Sequence, residues 1–550
     1  MTDRSIPRAE QFAVLALCSA ASLLAILWSW RHDAMLNYGD AVAHLHIARR
    51  VFDCHQPRLT QLGSVWLPLP HILLLPFVQV YAWWANGFAG VIPSALAYLA
   101  SCTGIYRLAR RWLPPSAAAL SLAFFALNPN LLYLQTTAMT EPLFLCEMIW
   151  ITLWLVDWRA SLNDNPTQSA RLQAYIATAL VAAVFTRYDG WVMAFLAWTT
   201  MGLVLARRGG LRSRAFWMAS FFVVAAPIAW FIYNQVAFGD WLFFMRGPYS
   251  AKVIEIRTAT PGYPPHPGWH NPWVSLIFFV KAAELDAAPL AWGNFLLVLS
   301  VFGTFCAWIV ARRRFIAWAL LLWLPVPFYA YSIAWGSVPI FMPVWWPHSW
   351  YNLRYGMELL PAIALSFGFV AHLVIGAVRE FKPRWSAYAA IALFAVLAIN
   401  AIKMLRECPL VYVEGTKNIH ARRPMYSQIA PPVHALLARH PGSVILMDTS
   451  LYPEIVTLTG IPLRQTINES DLDLYTAALA APAAHASIVL AFDGDEIDSA
   501  VHAHPEGLTL VRRFIAPGQP SGTLYVSGTP GSSVLNKPTT TVVASLKAPQ

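Results

Sequence analysis

Charge is scarce in this sequence. Only 12% of its 550 residues are Asp, Glu, Lys or Arg, whereas 57% are hydrophobic, and the mean hydropathy is +0.50. A soluble chain carries about 25% charged residues, so this composition excludes a soluble protein of this length and predicts a polytopic α-helical membrane protein. The net charge of +10 comes from short basic clusters between apolar runs, which are typical of cytoplasmic loops rather than of a surface for nucleic acid.

Cysteine is also rare, and motifs dedicated to metals are missing. The six cysteines are scattered without a CxxC pair, so the sequence predicts neither a disulfide framework nor a structural metal site. Asp40, His44, Glu141 and His348 are candidate metal ligands, but no HExxH, DxD or similar spacing joins them. The sequence therefore identifies no specific cofactor, and it leaves open whether a divalent metal binds.

Long apolar runs are what the sequence does have. A spanning helix needs about 17 to 25 mostly apolar residues, and eleven runs have approximately this length. They are predicted at about 11–30, 91–108, 115–133, 142–158, 172–187, 189–206, 215–234, 291–311, 315–334, 357–378 and 385–404. Residues 68–84 form a further apolar run, but three prolines interrupt it, and we predict a re-entrant or juxtamembrane segment there.

The basic clusters fix the predicted orientation. They lie at 107–111, 207–214, 312–314 and 379–384, all on one side of the predicted helices, and the positive-inside rule assigns that side to the cytoplasm. The N-terminus is then cytoplasmic, and the loops containing "NYGDAVAHLHIARR", "TEPLF", "TRYDGW" and "WYNLRYG" lie on the outer face. We predict an integral protein of the bacterial inner membrane.

The composition changes near residue 405. Strand-length apolar runs such as "SVILMD" and "ASIVLAFD" alternate there with helix-like segments, which indicates a small C-terminal α/β extracytoplasmic domain. The predicted organisation is a transmembrane domain over 1–404, a soluble domain over 405–528, and a disordered tail over 529–550 that is rich in Ser, Thr, Pro and Lys.

Ionisable residues gather at the predicted outer face. Asp40 follows Gly39 and could cap a helix, yet a carboxylate there could also take the proton of an acceptor hydroxyl that attacks a sugar. Arg354 and Arg187 offer planar guanidinium groups suited to phosphate. Arg187 could instead pair with Asp189, and Glu141 could simply occupy the start of a helix.

These motifs, in this order, resemble the GT-C membrane glycosyltransferases, in the branch with the protein O-mannosyltransferases and the lipid A aminoarabinose transferase. The resemblance rests on Gly39-Asp40, "QLGSVWLPLPHILLLPF", "TEPLF", "TRYDGW" and "NLRYGMELLPAIAL", and it extends to about residue 405. It implies transfer of a sugar from a polyprenyl-phosphate carrier with inversion. By resemblance Asp40 is the base or acceptor-positioning acid, and Arg354 and Tyr355 lie near the carrier phosphate.

One residue departs from the pattern. Protein O-mannosyltransferases have two adjacent acids in the first outer loop, whereas Ala41 follows Asp40 here, so a second carboxylate would have to be Glu141 or Asp189. We therefore predict three catalytic acids and six substrate-binding residues. The predicted acids are Asp40, Glu141 and Asp189, and the predicted substrate-binding residues are His44, Arg187, Tyr188, His348, Arg354 and Tyr355.

The resemblance thus implies a periplasmic, mannosyltransferase-like active site that transfers a hexosyl or pentosyl group. The expected partners are a polyprenyl-phosphate-linked sugar donor, membrane lipids, and a glycan, lipid or protein acceptor. A transporter or lipid flippase is the main alternative, although transport predicts ionisable residues near the midplane and often repeated halves. A scaffold that displays the C-terminal domain is a third interpretation.

Overall fold

The chain forms two compact units in a computed structural model, which describes residues 6–258, 264–311, 316–407 and 409–528. One unit comprises the chain up to Phe52 together with Arg58–His420, and the other comprises Asp53–Pro57 together with the chain from Ala421 onward. The boundary lies sixteen residues beyond the predicted one at 404/405. The basic cluster at 312–314 and the predicted disordered tail 529–550 fall outside the described residues.

The first unit is helical. Its α-helices are α1 (Arg8–Arg31), α2 (Gly39–Arg50), α3 (Pro68–Val78), α4 (Tyr81–Ala85), α5 (Phe88–Ala109), α6 (Pro115–Ala126), α7 (Pro129–Leu134), α8 (Glu141–Ser161), α9 (Pro166–Thr186), α10 (Tyr188–Ala206), α11 (Arg214–Phe238), α12 (Phe243–Arg246), α13 (Ala251–Thr258), α14 (Pro272–Ala287), α15 (Leu290–Val310), α16 (Pro325–Trp335), α17 (Leu360–Phe381), α18 (Ser386–Arg406) and α19 (Leu410–Arg439). Two longer 3₁₀ helices, Ala317–Trp323 and Leu353–Leu359, precede α16 and α17.

Within the described ranges, nine helical segments are long and apolar enough to cross a membrane. Two of the eleven predicted spans differ from this set. Helix α6 has only 12 residues and ends before Pro129, which begins a separate helix, α7. Helix α8 has 21 residues but carries the charged residues Glu141, Glu147, Asp157 and Arg159. For the run 115–133, hydropathy did not reveal that the helix ends and a new one begins. For the run 142–158, it did not take account of the charged residues in α8.

Residues 68–84 do not form one helix. Helix α3 has 11 residues and α4 has 5, so α3 rises only about 17 Å, roughly half the thickness of a bilayer core. Pro76 lies inside α3, and its missing N–H weakens the last turn. The break agrees with the prediction that this run is not a spanning helix.

The second unit contains the described sheet. Its five strands are β1 (Ile445–Leu446), β2 (Thr466–Ile467), β3 (Ile488–Phe492), β4 (Leu508–Phe514) and β5 (Gly522–Ser527). They lie in the order β2-β1-β3-β5-β4, with β2, β1 and β3 parallel and β5 antiparallel to both β3 and β4. Four short helices accompany them, α20 (Pro453–Thr459), α21 (Asp473–Ala480), α22 (Pro482–His485) and α23 (Glu496–Ala503). The α/β character predicted after residue 405 is therefore present, although β2 was not predicted.

The parallel part of this sheet is the core of the second unit. All five residues of β3 are buried, as expected for a strand covered on both faces. Apolar side chains of β1, α21 and α23 pack on it, including Leu446, Tyr475, Ile497 and Val501. The long apolar run in "ASIVLAFD" reflects this double coverage.

Candidate active site

Asp40 lies in the first turn of α2. Tyr38, the N-cap residue of α2, is extended (φ −90°, ψ 124°), and no side chain caps the helix. Asp40 therefore does not cap the helix, although its charge interacts favourably with the N-terminal end of the helix dipole. Its carboxylate instead accepts a hydrogen bond from Nη2 of Arg354, while 42% of its side chain is exposed. Asp40 thus contacts the buried guanidinium of Arg354 while part of its own side chain remains accessible.

Arg354 is positioned by the backbone that precedes it. Asn352 adopts a left-handed conformation (φ 57°), which Asn tolerates better than most residues. The backbone N–H groups of Asn352 and Leu353 both donate to the Glu414 carboxylate, each at 2.9 Å. This clamp starts the 3₁₀ helix Leu353–Leu359 and directs the Arg354 side chain inward, where only 6% of it is exposed.

Three carboxylates contact three different nitrogens of Arg354. Nε donates to Glu141 at 3.0 Å and Nη1 donates to Glu414 at 3.2 Å, while Nη2 contacts Asp40. Glu141 and Glu414 are each 1% exposed at the side chain. The planar guanidinium is therefore fixed from two sides by buried acids and approached from the third by the accessible one.

Arg187 joins the same network from the junction of α9 and α10. Nε contacts Asp189 at 3.3 Å, and Nη1 donates to the Thr140 hydroxyl at 3.1 Å. Nη2 donates to the Tyr329 hydroxyl at 2.8 Å and lies 2.9 Å from Glu358. The predicted pairing of Arg187 with Asp189 is thus present, but it is one contact among several.

Glu141 and Tyr355 connect the two guanidinium groups. Oε1 of Glu141 lies 3.0 Å from Arg354 and 3.5 Å from Arg187, and the Tyr355 ring centroid lies 4.9 Å and 5.1 Å from the two guanidinium carbons. Tyr329 stacks on Tyr355 at 5.2 Å. Residues from distant parts of the chain therefore form one charged cluster.

This cluster has more acids than cations. Its carboxylates are five, Asp40, Glu141, Asp189, Glu358 and Glu414, against the two guanidinium groups of Arg187 and Arg354. Oε2 of Glu141 and Oε2 of Glu358 have no hydrogen-bond partner among the described residues. Burying more acidic than basic side chains in one cluster is energetically costly.

The acids face guanidinium groups instead of one shared point. In the part of the chain that the structure describes, no group of three or more His, Cys, Asp or Glu is arranged to hold a metal ion. Of the four metal-ligand candidates, Asp40 and Glu141 both contact Arg354, whereas His348 is exposed and its Nδ1 contacts the Pro343 carbonyl at 2.9 Å.

Three predicted substrate-binding residues make their hydrogen bonds outside the cluster. Nδ1 of His44 lies 2.8 Å from Nε2 of His71. The Tyr188 hydroxyl donates to the Val65 carbonyl at 2.9 Å. Among the residues that the structure describes, His348 forms hydrogen bonds only within its own loop. The structure thus brings together Asp40, Glu141, Arg187, Asp189, Arg354 and Tyr355, and it leaves the roles of the other three as predictions.

Sequence reasoning missed several members of the cluster. Glu358 lies four residues after Arg354 in "RYGMEL", a spacing that was available as a signal. Glu414 follows the last predicted span and was assigned to the soluble domain, and Tyr329 is one of many aromatic residues in a spanning run. No local pattern marks either residue, because their partners are far away in sequence.

An apolar groove lies beside the charged cluster. Its volume is about 900 Å³, and Leu359, the residue after Glu358, is part of its lining. Apart from Arg159 and Thr200, the lining side chains are apolar and come mainly from α10, α14, α15, the 3₁₀ helix Ala317–Trp323 and α16. Phe279, on α14, stacks on Tyr329 at 4.7 Å, so one helix contacts the cluster and also supplies groove residues.

The arrangement of the helices defines the class of fold: a polytopic α-helical membrane protein with the GT-C fold and a small sheet. Two solved structures share it, the crystal structures of ArnT from Cupriavidus metallidurans bound to undecaprenyl phosphate and in the apo state. The TM-scores are 0.55 and 0.54, at 14% and 13% identity, and each match covers 95% of this chain and 99% of that chain. No family model and no curated protein matches the sequence.

Proposed function

We propose that this protein is a glycosyltransferase that takes its sugar from a polyprenyl-phosphate carrier at the outer face of the membrane. The observation that carries the proposal is the contact between the half-exposed carboxylate of Asp40 and the buried guanidinium of Arg354. A base and a permanent cation are the two groups that such a transfer needs at one place. The likeness to ArnT, one of whose structures holds undecaprenyl phosphate, supports the choice of carrier.

The proposed reaction inverts the anomeric carbon. The acceptor hydroxyl attacks that carbon, Asp40 takes the hydroxyl proton, and the bond from the anomeric carbon to the phosphate oxygen breaks. The carrier phosphate leaves with the electron pair of that bond. Because its negative charge grows as it leaves, a guanidinium held in a water-poor site stabilises the transition state more than the ground state.

Arg354 is better suited to this phosphate than Arg187. A guanidinium has five N–H donors, and the contacts of Arg354 within the described residues use one on each of its three nitrogens. Two N–H groups therefore remain for a phosphate. Arg187 has two contacts at Nη1, two at Nη2 and one at Nε, so it is saturated and serves as scaffold.

The groove beside Leu359 would hold the prenyl chain of the carrier. Its apolar lining suits a branched hydrocarbon, and burial of apolar surface contributes about 25 cal/mol per Å². The neighbouring cluster would then hold the phosphate at the end of that chain. The experiment that follows identifies the acceptor class and the sugar, and it distinguishes the mannosyl branch from the aminoarabinose branch.

The test is transfer by the purified protein. Undecaprenyl phosphate carrying labelled mannose, glucose or aminoarabinose is incubated with the protein and a membrane extract, and the labelled product is identified. Label that reaches an acceptor only with active protein supports the proposal. Movement of the carrier across a vesicle membrane without sugar transfer would instead establish a flippase.

A matched pair of variants tests the groove. Leu276→Trp fills it, because Leu276 is part of the lining, whereas Ile277→Trp places the same ring on the exposed side of α14, where Ile277 is 54% exposed. We expect Leu276→Trp to weaken binding of undecaprenyl phosphate at least tenfold and Ile277→Trp to leave it within twofold. Equal binding by both variants would move the chain to another surface.

Orientation is a separate part of the proposal. A cytoplasmic N-terminus and an extracytoplasmic C-terminal domain follow from the positive-inside rule. Single cysteines at Ser5 and at Ser527 should react differently with a membrane-impermeant maleimide in intact cells, with labelling only at 527. Labelling at position 5 alone would reverse the proposed sidedness.

A further inference from the structure

One accessible aromatic ring borders the charged cluster. Tyr351 lies three residues before Arg354 in "WYNLRYG", and 44% of it is exposed. Burial raises the pKa of Tyr351, and among the charged groups Asp40 has the largest effect on it, ahead of Arg354 and Glu414. Charges act this strongly only at short range. Since Glu414 is buried and Asp40 is half-exposed, Tyr351 borders the accessible edge of the cluster.

The backbone of Tyr351 is fixed on both sides. Its N–H donates to the Phe341 carbonyl at 3.2 Å, and its carbonyl accepts from the Phe341 N–H at 2.9 Å, which makes an antiparallel bridge. The next residue, Asn352, donates to the Glu414 carboxylate at 2.9 Å. Tyr351 is accessible, yet the protein around its phenol is dense enough to raise the pKa. The ring therefore lies in a preorganised recess, where a ligand can bind without ordering the loop.

Exposed aromatic residues of a membrane protein often anchor it at the lipid interface. The position of Trp346, which is in the same loop and 48% exposed, suits that role. Tyr351 differs because it faces the charge of Asp40. Hydrocarbon beside a carboxylate is unfavourable, since the charge loses its hydration there. A ligand that fits between Tyr351 and Asp40 must be polar and must also have an apolar face.

A sugar ring meets both conditions. Its hydroxyl groups donate hydrogen bonds to a carboxylate, and the C–H bonds on one face of the ring pack against an aromatic ring. With that face on Tyr351, a hydroxyl at the edge of the sugar is directed toward Asp40, which takes its proton in the proposed reaction. A serine or threonine side chain of a protein acceptor has a hydroxyl but no such apolar face.

We propose that Tyr351 binds the acceptor and that the acceptor is a carbohydrate, an inference that rests on the glycosyl transfer proposed above. The acceptor sugar stacks on Tyr351, and one of its hydroxyl groups donates to Asp40. The stacking contact orients that hydroxyl before it attacks the donor sugar. Tyr351 is a specificity-determining residue and takes no part in the proton transfer.

The experiment compares variants of the full-length protein with increasing amounts of membrane extract as the acceptor. The donor is the undecaprenyl-phosphate sugar that is active in the first test. For Tyr351→Ala, we expect the amount of extract that gives half the maximal rate to rise about tenfold, while the KM for the donor stays within twofold of wild type. Tyr351→Phe keeps the ring and should raise that amount less than threefold. Trp346→Ala is the matched control and should change neither value.

The difference between acceptor and donor separates binding from a structural role. A variant that merely loosens the site would raise the donor KM together with the requirement for extract. That result for Tyr351→Ala would overturn the binding role of Tyr351. Equal requirements for extract in Tyr351→Ala and wild type would overturn it as well. An equal effect of Trp346→Ala would assign both residues to the lipid interface instead.

The product made by the wild-type protein tests the acceptor class whether or not a variant folds. Linkage analysis should find the labelled sugar on a hydroxyl group of another sugar. Label on a serine, a threonine or a lipid phosphate would overturn the carbohydrate acceptor and leave the proposed glycosyltransferase in place. A wild-type protein that transfers no sugar would overturn the proposed function itself.

Discussion

Replacing Asp40 by Asn should abolish most of the activity while leaving the fold intact. Arg354 keeps Glu141 at 3.0 Å and Glu414 at 3.2 Å, and an Asn oxygen can still accept from Nη2. Because 42% of the Asp40 side chain is exposed, its ion pair is partly screened by solvent, and we expect its loss to cost only about 0–1 kcal/mol of stability.

The effect on catalysis should be much larger. An amide cannot take the acceptor proton, and loss of a positioned general base slows a reaction about 10²- to 10⁴-fold. At about 1.36 kcal/mol for each factor of ten, this is a rise of about 2.7–5.4 kcal/mol in the activation barrier. For Asp40→Asn, the predicted rise in the activation barrier is therefore much larger than the predicted loss of folding stability. This difference sets Asp40 apart from the buried acids of the cluster.

The assay compares initial rates of sugar transfer at saturating donor with thermal unfolding in the same detergent. Asp33→Asn is the control, since Asp33 is an exposed acid near the end of α1 whose left-handed conformation (φ 51°) Asn also tolerates. A rate for Asp40→Asn within twofold of wild type would remove Asp40 from the mechanism. An equal loss of thermal stability would assign Asp40 a structural role instead.

Two further predictions concern buried acids. Glu414→Gln replaces an acid that accepts hydrogen bonds from two backbone N–H groups and from Arg354, so thermal unfolding should show a loss of about 3–5 kcal/mol in stability. The control Glu407→Gln, at an exposed position, should change stability by less than about 0.5 kcal/mol. A Glu414→Gln protein as stable as the wild type would contradict the proposed clamp on Asn352 and Leu353. Burial, reinforced by the charge of Glu469, raises the pKa of Asp448 to about 8. The folded state therefore still holds a proton that the unfolded chain releases near pH 4. The second unit should consequently lose stability as the pH rises from about 4 to about 8. Amide exchange in β3, corrected for intrinsic rates, should be faster at pH 8 than at pH 6, and Asp448→Asn should remove that difference; a difference that persists would contradict it.

The residues that sequence could find share one property. Asp40, Glu141, Arg187, Asp189 and Arg354 are ionisable groups at the ends of apolar runs, where each needs a reason to be present. The basic clusters between the runs predicted that all five lie on one side of the membrane, and that prediction placed them near one another. Hydropathy likewise predicted most of the long helices, because a spanning helix must be apolar along its length.

What sequence could not find depends on pairing across the fold. Glu414 was assigned to the soluble domain because it follows the last apolar run, yet α19 begins at Leu410 and carries it to Arg354. The break between α6 and α7 was missed because hydropathy does not register a helix end. Tyr329 and His71 are uncharged members of apolar segments, and only their partners reveal them.

The surplus of acids clarifies what each arginine can do. Arg187 is enclosed by Asp189, Glu358 and the Tyr329 hydroxyl, so an incoming phosphate would have to displace a carboxylate from it. Arg354 is fixed by Glu141 and Glu414 on its buried edge, and its remaining edge borders the half-exposed Asp40. The buried acids thus orient the cation without occupying the edge at which donor and acceptor would meet. We therefore expect the chemistry at that edge, which the two buried acids leave open.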